Sequence, residues 1–177
     1  MDDAEAVRLV SAGDHRGAAH LIEKYQMDVY STSLRILSNP ADAEDVTQDT
    51  FVTALQRIST YRPDQAVRPW LRAIARNRSI DLVRRRARAP EAEPPAAAAS
   101  VESVALDRLE AERLRAALTR LPERERALLA LRYWEDQPVE TIARSMGMTD
   151  GAVRVALLRA RRALGALLVE RESGVEV

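Results

Sequence analysis

The sequence contains no cysteine, which excludes disulfide bonds, zinc sites with thiolate ligands and a cysteine nucleophile. Glycine is also scarce, with 6 in 177 residues, and the runs of alternating β-branched residues that mark strands are missing. Aromatic residues make up only 4% of the chain, whereas alanine and arginine are abundant. This composition predicts an all-α fold.

Long apolar segments are absent too, so the sequence offers no candidate for a membrane-spanning helix. The chain begins with an acidic stretch that includes Asp2, Asp3 and Glu5, which is unlike the basic start of a secretory signal peptide. We therefore expect a cytoplasmic protein that is not inserted in a membrane.

Features of common enzyme sites are missing as well. The sequence has no phosphate-binding glycine loop and no evident pair of nucleophile and base. The two histidines, His15 and His20, have no companions at the spacing of metal ligands. We expect no catalytic residues, no metal site and no cofactor, and hence a protein that is not an enzyme.

The formal net charge is zero, but the charges are unevenly distributed along the chain. Residues 1–60 carry ten acidic and five basic side chains, whereas residues 61–88 carry nine arginines and two aspartates. A second acidic segment, 89–112, and a second basic segment, 113–177, follow. Because local potential matters more than net charge in nucleic-acid binding, both basic segments are candidates for it.

The first basic segment centres on a predicted helix from Pro69 to Arg86. Its apolar residues recur at three- and four-residue spacing: Trp70, Leu71, Ile74 and Ala75. Three arginines recur at four-residue intervals and therefore share one face: Arg68, Arg72 and Arg76. A basic face of this kind attracts the phosphate backbone of DNA, and a solvated face without a ligand is the alternative.

Three further helices are predicted before this one, over residues 4–12, 15–37 and about 41–58. Asp42, Asp45 and Asp49 share one face of the third, at i, i+3 and i+7. Acids in the first turn stabilise the positive end of a helix, which explains Asp42 but not Asp49. A one-sided acidic stripe is also suited to bind a basic partner surface.

Residues 89–103 combine prolines, alanines and acidic residues, which predicts a linker. Fully extended, this segment spans at most about 50 Å, which allows two domains to occupy separate sites on DNA. A plain solvated tether that only joins the two domains is the alternative to an acidic linker that also contacts a partner.

The C-terminal segment is predicted to form four helices, beginning near Val104. Gly147 separates two of them and suits a helix end, because glycine adopts the left-handed conformation without a side-chain penalty. Thr149 can then cap the last helix, which is long and rich in arginine. Two helices around a glycine turn predict a helix-turn-helix motif.

Several stretches together resemble the extracytoplasmic-function sigma factors of bacterial RNA polymerase. The resemblance to sigma domain two rests on Ala43 to Phe51, on Tyr61 and Arg62, and on Trp70 to Asn77. The resemblance to sigma domain four rests on the helix-turn-helix and on the helix opening from Leu121 to Arg124. It implies an all-α protein of two small domains, residues 1–88 and 104–177, joined by the linker 89–103.

The resemblance also implies partners and binding residues. Core RNA polymerase would bind Asp45, Gln48 and Asp49 through the clamp helices of its largest subunit, and the flap of the second-largest subunit would be a further contact. The residues implied in binding and melting the minus-ten promoter element are Tyr61, Arg62, Arg68, Trp70, Arg72, Arg76 and Asn77. Those implied in reading the minus-thirty-five element are Thr149, Arg154, Val155, Leu158, Arg159 and Arg162.

An anti-sigma factor is a further implied partner, through which the protein could be held at the membrane. A helix-turn-helix regulator that binds DNA without polymerase is the main alternative, but it would need neither the acidic helix nor a second basic domain. Trp70 has a second interpretation as an anchor of the core, beside its implied role in promoter opening.

Overall fold

The computed structural model describes residues 1–88 and 105–172, and within these two ranges every regular element is a helix. The prediction of an all-α fold is confirmed. In these ranges no helix is both long enough and apolar enough to cross a membrane. The elements are α1 Asp3–Ser11, α2 His15–Leu37, α3 Pro40–Gln56, a 3-10 turn Ile58–Thr60, α4 Val67–Arg88, α5 Ala105–Thr119, α6 Glu123–Tyr133, α7 Val139–Met146 and α8 Asp150–Glu172.

Polar side chains determine where the helices of the N-terminal half (residues 1–88) begin. Asp2, Asp14 and Asn39 each accept a hydrogen bond from a backbone N–H in the following turn, at 2.7, 2.9 and 3.2 Å. These N–H groups have no carbonyl partner inside their helix, so each cap satisfies a donor that would otherwise be unpaired. Pro40 then takes the start of α3, where its missing N–H costs nothing.

Helices α1 to α4 pack around a core that includes Ala6, Leu21, Phe51 and Leu71. Helix α1 comes close to α2 because Gly17 has no side chain: a Cβ at this position would lie 2.3 Å from the carbonyl oxygen of Ala6. Helix α4 lies against both α2 and α3. Burial of its apolar strip in this core leaves its arginines directed away from the centre of the N-terminal half.

Helices α7 and α8 form the predicted helix-turn-helix. Gly147 ends α7 with a φ of 64°, in the left-handed region. The hydroxyl oxygen of Thr149 accepts a hydrogen bond from the backbone N–H of Ala152 at 3.2 Å and caps α8. Helix α6 ends at Tyr133, and Trp134 is 43% exposed where the chain turns away.

The two halves of the chain pack against each other. In the C-terminal half (residues 105–172), α6 lies on α2 and α4, and α7 lies on α4. One buried apolar cluster includes Leu37 and Val83 from the first half and Leu128 and Ile142 from the second. No feature of the sequence indicated this contact, since each half shows helices of its own. The predicted linker, residues 89–103, lies outside the described residues.

Candidate nucleic-acid and protein interfaces

The outward side of α3 presents a polar surface without a partner inside the protein. Asp45, Gln48 and Asp49 are exposed, and their side chains make no hydrogen bond or ion pair within the described residues. Val52 follows at i+7 from Asp45 and is 54% exposed, so these four residues share one side of the helix, called the α3 face below. Val52 was not predicted as part of the site, although this spacing could have identified it. Carboxylates around an exposed apolar side chain suit a basic protein partner.

Asp42, which the sequence pattern groups with Asp45 and Asp49, lies in a different environment. Its two oxygens accept hydrogen bonds from the guanidinium of Arg86 on α4, at 2.7 and 2.8 Å. Arg86 also donates to Glu123, at the start of α6, at 3.1 Å. The hydrogen bond to Asp42 is the main reason why the pKa of Arg86 is raised, although burial opposes the shift. Asp42 therefore takes part in a contact among three helices and does not belong to the open α3 face.

The arginine face of α4, defined by Arg68, Arg72 and Arg76, is occupied by carboxylates. Arg68 pairs with Asp28 of α2 at 2.5 Å. Arg72 donates to one oxygen of Glu135 at 2.9 Å, and a nitrogen of Arg76 lies 3.7 Å from the other oxygen. Burial lowers the pKa of Arg76, and the negative charge of Glu135 opposes that shift. The arginines line one side of the helix as their spacing predicts, but two of them meet a carboxylate from the C-terminal half.

Two aromatic rings hold the loop before α4. Tyr61 and Trp70 meet edge to face, with ring centroids 5.1 Å apart, and both pack at the border of the N-terminal core. The Tyr61 hydroxyl donates a hydrogen bond to the carbonyl oxygen of Gln65, which closes the loop. Within this loop Arg62 pairs with Asp64 at 3.0 Å, where both side chains are exposed and the attraction is weak. Trp70 thus both anchors the core and shapes the loop.

Asn77 is exposed at a polar cleft of about 400 Å³ between α3, α4 and α7. Arg78 donates a hydrogen bond to the hydroxyl of Thr53 at 2.7 Å and so orders one wall. The amide, guanidinium and carboxylate groups there can hydrogen-bond the edge of an unstacked base. The lining residues are Thr53, Arg57, Ile74, Asn77, Arg78, Ile80, Asp81 and Ser145.

The aromatic pair and the cleft lie on the same side of α4. Trp70, Ile74 and Asn77 follow one another at i, i+4 and i+7, which aligns them along the helix over about 10 Å. The structure therefore brings Trp70 and Asn77 to one side of α4, whereas the arginine face lies on the opposite side of the helix. Asp45, Gln48 and Asp49 lie on another helix, and Thr149 to Arg162 lie in the other half of the chain.

Helix α8 exposes a continuous face in its N-terminal half. Its buried residues are Val153, Ala156, Leu157 and Ala160, and its outward residues are Arg154, Val155, Leu158, Arg159 and Arg162. Arg154 lies 3.9 Å from Glu140, a weak pair between exposed groups. Val155 and Leu158 are 57% and 40% exposed. This face thus combines arginines, which can bind phosphate, with apolar side chains, which can contact thymine methyl groups.

Tyr133 and Trp134 form an exposed aromatic pair that was not predicted as a surface. The Tyr133 hydroxyl accepts a hydrogen bond from Arg161 of α8 at 3.3 Å, which holds the ring beside that helix. The sequence does contain a signal for their exposure. The acidic residues Glu135 and Asp136, which follow directly, indicate that α6 ends here. Exposed aromatic residues are typical of protein-binding surfaces.

Two protein-family models match most of the chain. Residues 21–89 match the model described as Sigma-70 region 2, and residues 111–164 match the model described as Sigma-70, region 4. The first match contains the α3 face and the arginine face, and the second contains the helix-turn-helix.

Three curated proteins illustrate the similarity. The probable RNA polymerase sigma factor RfaY of Xanthomonas campestris pv. campestris is 33% identical over 91% of this chain, which spans 42% of that longer relative. The RNA polymerase sigma-H factor of Pseudomonas aeruginosa is 32% identical over 92% of this chain and 91% of its own length. The ECF RNA polymerase sigma factor SigM of Mycobacterium tuberculosis is 29% identical over 99% of this chain and 89% of its own length.

Among solved structures, CnrH in complex with the cytosolic domain of CnrY is similar to this chain. The two are 25% identical, with a TM-score of 0.52, and the match covers 95% of this chain and 97% of the other. The likeness therefore extends over both halves of the chain.

Variants of Asp42 and Asp45 test whether the ion-paired aspartate stabilises the fold and the unpaired aspartate does not. Asp42→Ala leaves the half-buried Arg86 with one carboxylate instead of two, and we expect the free energy of unfolding to fall by about 1–3 kcal/mol. Asp45→Ala on the same helix should change it by less than about 0.5 kcal/mol, because this side chain has no internal partner. Urea denaturation measures both values, and equal losses would contradict the distinction.

Proposed function

The chain belongs to the extracytoplasmic-function group of RNA polymerase sigma factors, the subunits that bring core RNA polymerase to selected promoters and open the promoter DNA, and we propose which of its surfaces perform each step. The observation that carries the proposal is an acidic face without internal partners on the same chain as two arginine-rich helices. A regulator that binds DNA alone has no use for the acidic face. Core polymerase and DNA together give each surface a partner of opposite charge.

The α3 face is the proposed contact for the clamp helices of the largest polymerase subunit. Asp45, Gln48 and Asp49 offer acceptors that are already solvated and unpaired, so a basic partner displaces water and breaks no internal ion pair. Val52 supplies an apolar centre among them. Asp42 is excluded from this contact because Arg86 already holds it.

The minus-ten element is proposed to bind along α4 and the loop before it. The arginine face attracts the displaced phosphate backbone, and Arg62 in the loop adds a further exposed cation. An extruded base loses its stacking, so a site that holds it must restore part of that energy. The Tyr61–Trp70 pair offers aromatic surface, and the Asn77 cleft offers hydrogen-bonding groups on the same side of α4.

The minus-thirty-five element is proposed to bind the outward face of α8. Thr149 uses a lone pair to cap the helix and keeps its own proton free to donate to a phosphate. Arg154, Arg159 and Arg162 supply cations, and Val155 and Leu158 can contact thymine methyl groups. Two apolar side chains among these five leave few donors for base edges, so DNA shape contributes to specificity as well.

Regulation by an anti-sigma factor is also proposed, in the cytoplasm or at the membrane if that partner is anchored there. The similar protein CnrH is in complex with a second protein, the cytosolic domain of CnrY, and this likeness supports a protein partner for the present chain. The exposed aromatic residues Tyr133 and Trp134 are a candidate surface for this contact. They are also a candidate surface for the flap of the second-largest polymerase subunit, so the anti-sigma factor and the flap would exclude each other there.

The polymerase contact is tested by the double variant Asp45→Ala, Gln48→Ala. Both side chains are exposed, so folding should be unaffected, while affinity for purified core polymerase should fall by about tenfold or more. Competition with a labelled wild-type chain measures this affinity. Glu23→Ala, which removes an exposed acid of α2, is the matched control. Unchanged core affinity in the double variant would refute the α3 assignment.

Asn77→Ala tests the step of promoter opening. We expect closed complexes to form normally and the melted strand to lose permanganate reactivity, because the exposed amide serves an extruded base and not the duplex. Gln26→Ala removes an exposed amide of α2 and is the control. Equal losses of closed and open complexes would argue that Asn77 has no specific part in opening.

Arg154→Ala and Arg159→Ala test the upstream contact. Each should weaken binding to the minus-thirty-five element by about 1–3 kcal/mol if the side chain contacts a base edge. Titration of holoenzyme with labelled promoter fragments measures the loss, and Arg115→Ala on α5 is the control for an exposed arginine outside α8. The assignment of α8 is wrong if both variants bind like the wild type.

A further inference from the structure

A small cleft lies where the last turns of α4 meet the start of α6 and the end of α7. Its volume is about 160 Å³, and three arginines line it: Arg84 and Arg88 of α4 and Arg124 of α6. Among the residues that the structure describes, none of the three pairs with a carboxylate. We propose that this cleft, called the Arg84 cleft below, binds a small free phosphate anion. The inference goes beyond the proposed function, since it does not depend on any of the surfaces assigned to polymerase or promoter DNA.

The missing counter-charges distinguish these arginines from others on the same helix. Arg68, Arg72 and Arg86 each have a carboxylate oxygen within 2.9 Å. Arg84 and Arg88 have none, and their four-residue spacing places them together on a different side of α4 from the arginine face. Because like charges at this spacing repel each other, an anion that binds both arginines stabilises the end of the helix.

Helix dipoles explain only part of the arrangement. Cations stabilise the negative end of a helix, and Arg88 lies in the last turn of α4. Arg124 lies in the first turn of α6, at the positive end, where a cation is unfavourable. The preceding acid, Glu123, is already bound by Arg86 at 3.1 Å. The dipoles therefore account for Arg88 but leave Arg124 without an explanation, which an anion in the cleft supplies.

Arg84 is held in a defined position at one wall of the cleft. One guanidinium nitrogen donates a hydrogen bond to the carbonyl of Ser145 at 3.1 Å. The other terminal nitrogen lies beside Gly147, where an added Cβ would be 3.6 Å away from it. Arginine has several N–H donors, so this hydrogen bond leaves others for a ligand. Arg88 and Arg124 are exposed and can turn towards the same anion.

The size and lining of the cleft favour phosphate over a larger or an apolar ligand. Its volume is well below the roughly 300–1,000 Å³ of sites for drug-sized molecules. The remaining lining residues are apolar or glycine, among them Val83, Met146 and Gly147, so no acidic side chain of the lining repels an anion. Guanidinium groups match pairs of phosphate oxygens, and three cations favour an anion with more than one charge. A backbone phosphate of nucleic acid has the same oxygens but only a single charge.

Thermal unfolding of the full-length chain measures phosphate binding. Potassium phosphate replaces potassium chloride at constant ionic strength, so that general screening of charges does not change. A ligand that binds only the folded chain raises the unfolding midpoint, with a dependence on concentration that gives the dissociation constant. Phosphate also stabilises folded proteins in general because it is excluded from their surfaces, so the comparison of variants is decisive.

Arg124→Gln and Arg85→Gln form a matched pair. Each change removes the charge of an exposed arginine without an internal partner, but only Arg124 lines the cleft. We expect Arg124→Gln to raise the dissociation constant for inorganic phosphate about tenfold, because charge-assisted hydrogen bonds are lost. Arg85→Gln should keep the wild-type value. The same phosphate dependence in both variants would overturn the proposal.

Circular dichroism shows whether Arg124→Gln is folded. If it is not, Arg88→Gln replaces it in the comparison with Arg85→Gln, since Arg88 lines the same cleft and is exposed. The criterion is unchanged: a weaker phosphate response than in Arg85→Gln supports the site, and an equal response overturns it.

A second measurement separates a free anion from the nucleic-acid backbone. The probe is a fluorescein-labelled duplex of unrelated sequence and roughly 20 base pairs, read by anisotropy without polymerase. A site for a free anion predicts that the cleft variant loses its phosphate response and binds this duplex as Arg85→Gln does. If the cleft variant binds the duplex more weakly than Arg85→Gln, the arginines serve a nucleic-acid backbone and the proposal of a free anion is overturned.

Discussion

The arginines of α4 need counter-charges, and the way in which the fold supplies them determines how the two halves of the chain meet. Residues 61–88 carry nine arginines and two aspartates, so most of the neutralising carboxylates must come from elsewhere. Like charges four residues apart on a helix repel each other, which makes an unneutralised α4 unfavourable. Asp28 and Asp42 come from the N-terminal half, and Glu123 and Glu135 come from the C-terminal half. Contact between the halves is thus partly a consequence of the composition of one helix.

The apolar cluster and the ion pairs contribute different things to this contact. Leu37 and Val83 against Leu128 and Ile142 remove apolar surface from water, which favours association without specifying an orientation. The ion pairs add little net energy but require particular positions, so they determine how α6 sits on α4. Arg126 is both buried and directional: its guanidinium lies in the interior and donates a hydrogen bond to the carbonyl of Leu37 in the other half. The burial that this requires lowers its pKa.

Local structure was predictable from the sequence because its causes are local. The cap at Thr149 and the left-handed Gly147 depend on neighbouring residues only, and the all-α fold follows from spacing and composition. Long-range pairing has no such signal. Glu135 and Arg72 are in contact although 63 positions separate them in the chain. Asp42 and Asp45 belong to the same sequence pattern, and only the structure shows that Arg86 binds Asp42. The assignments of binding residues came from family resemblance, and the structure adds which of these side chains are open and which are already paired.

The paired and the open surfaces differ in what a partner must displace. An anion that binds Arg72 or Arg76 has to replace Glu135, whose carboxylate already lies beside both arginines. A partner of the α3 face meets only solvated side chains and breaks no internal ion pair. Movement of the C-terminal half away from α4 would also expose Leu37 and Val83 to water, and this lost apolar burial costs more free energy than the ion pairs do.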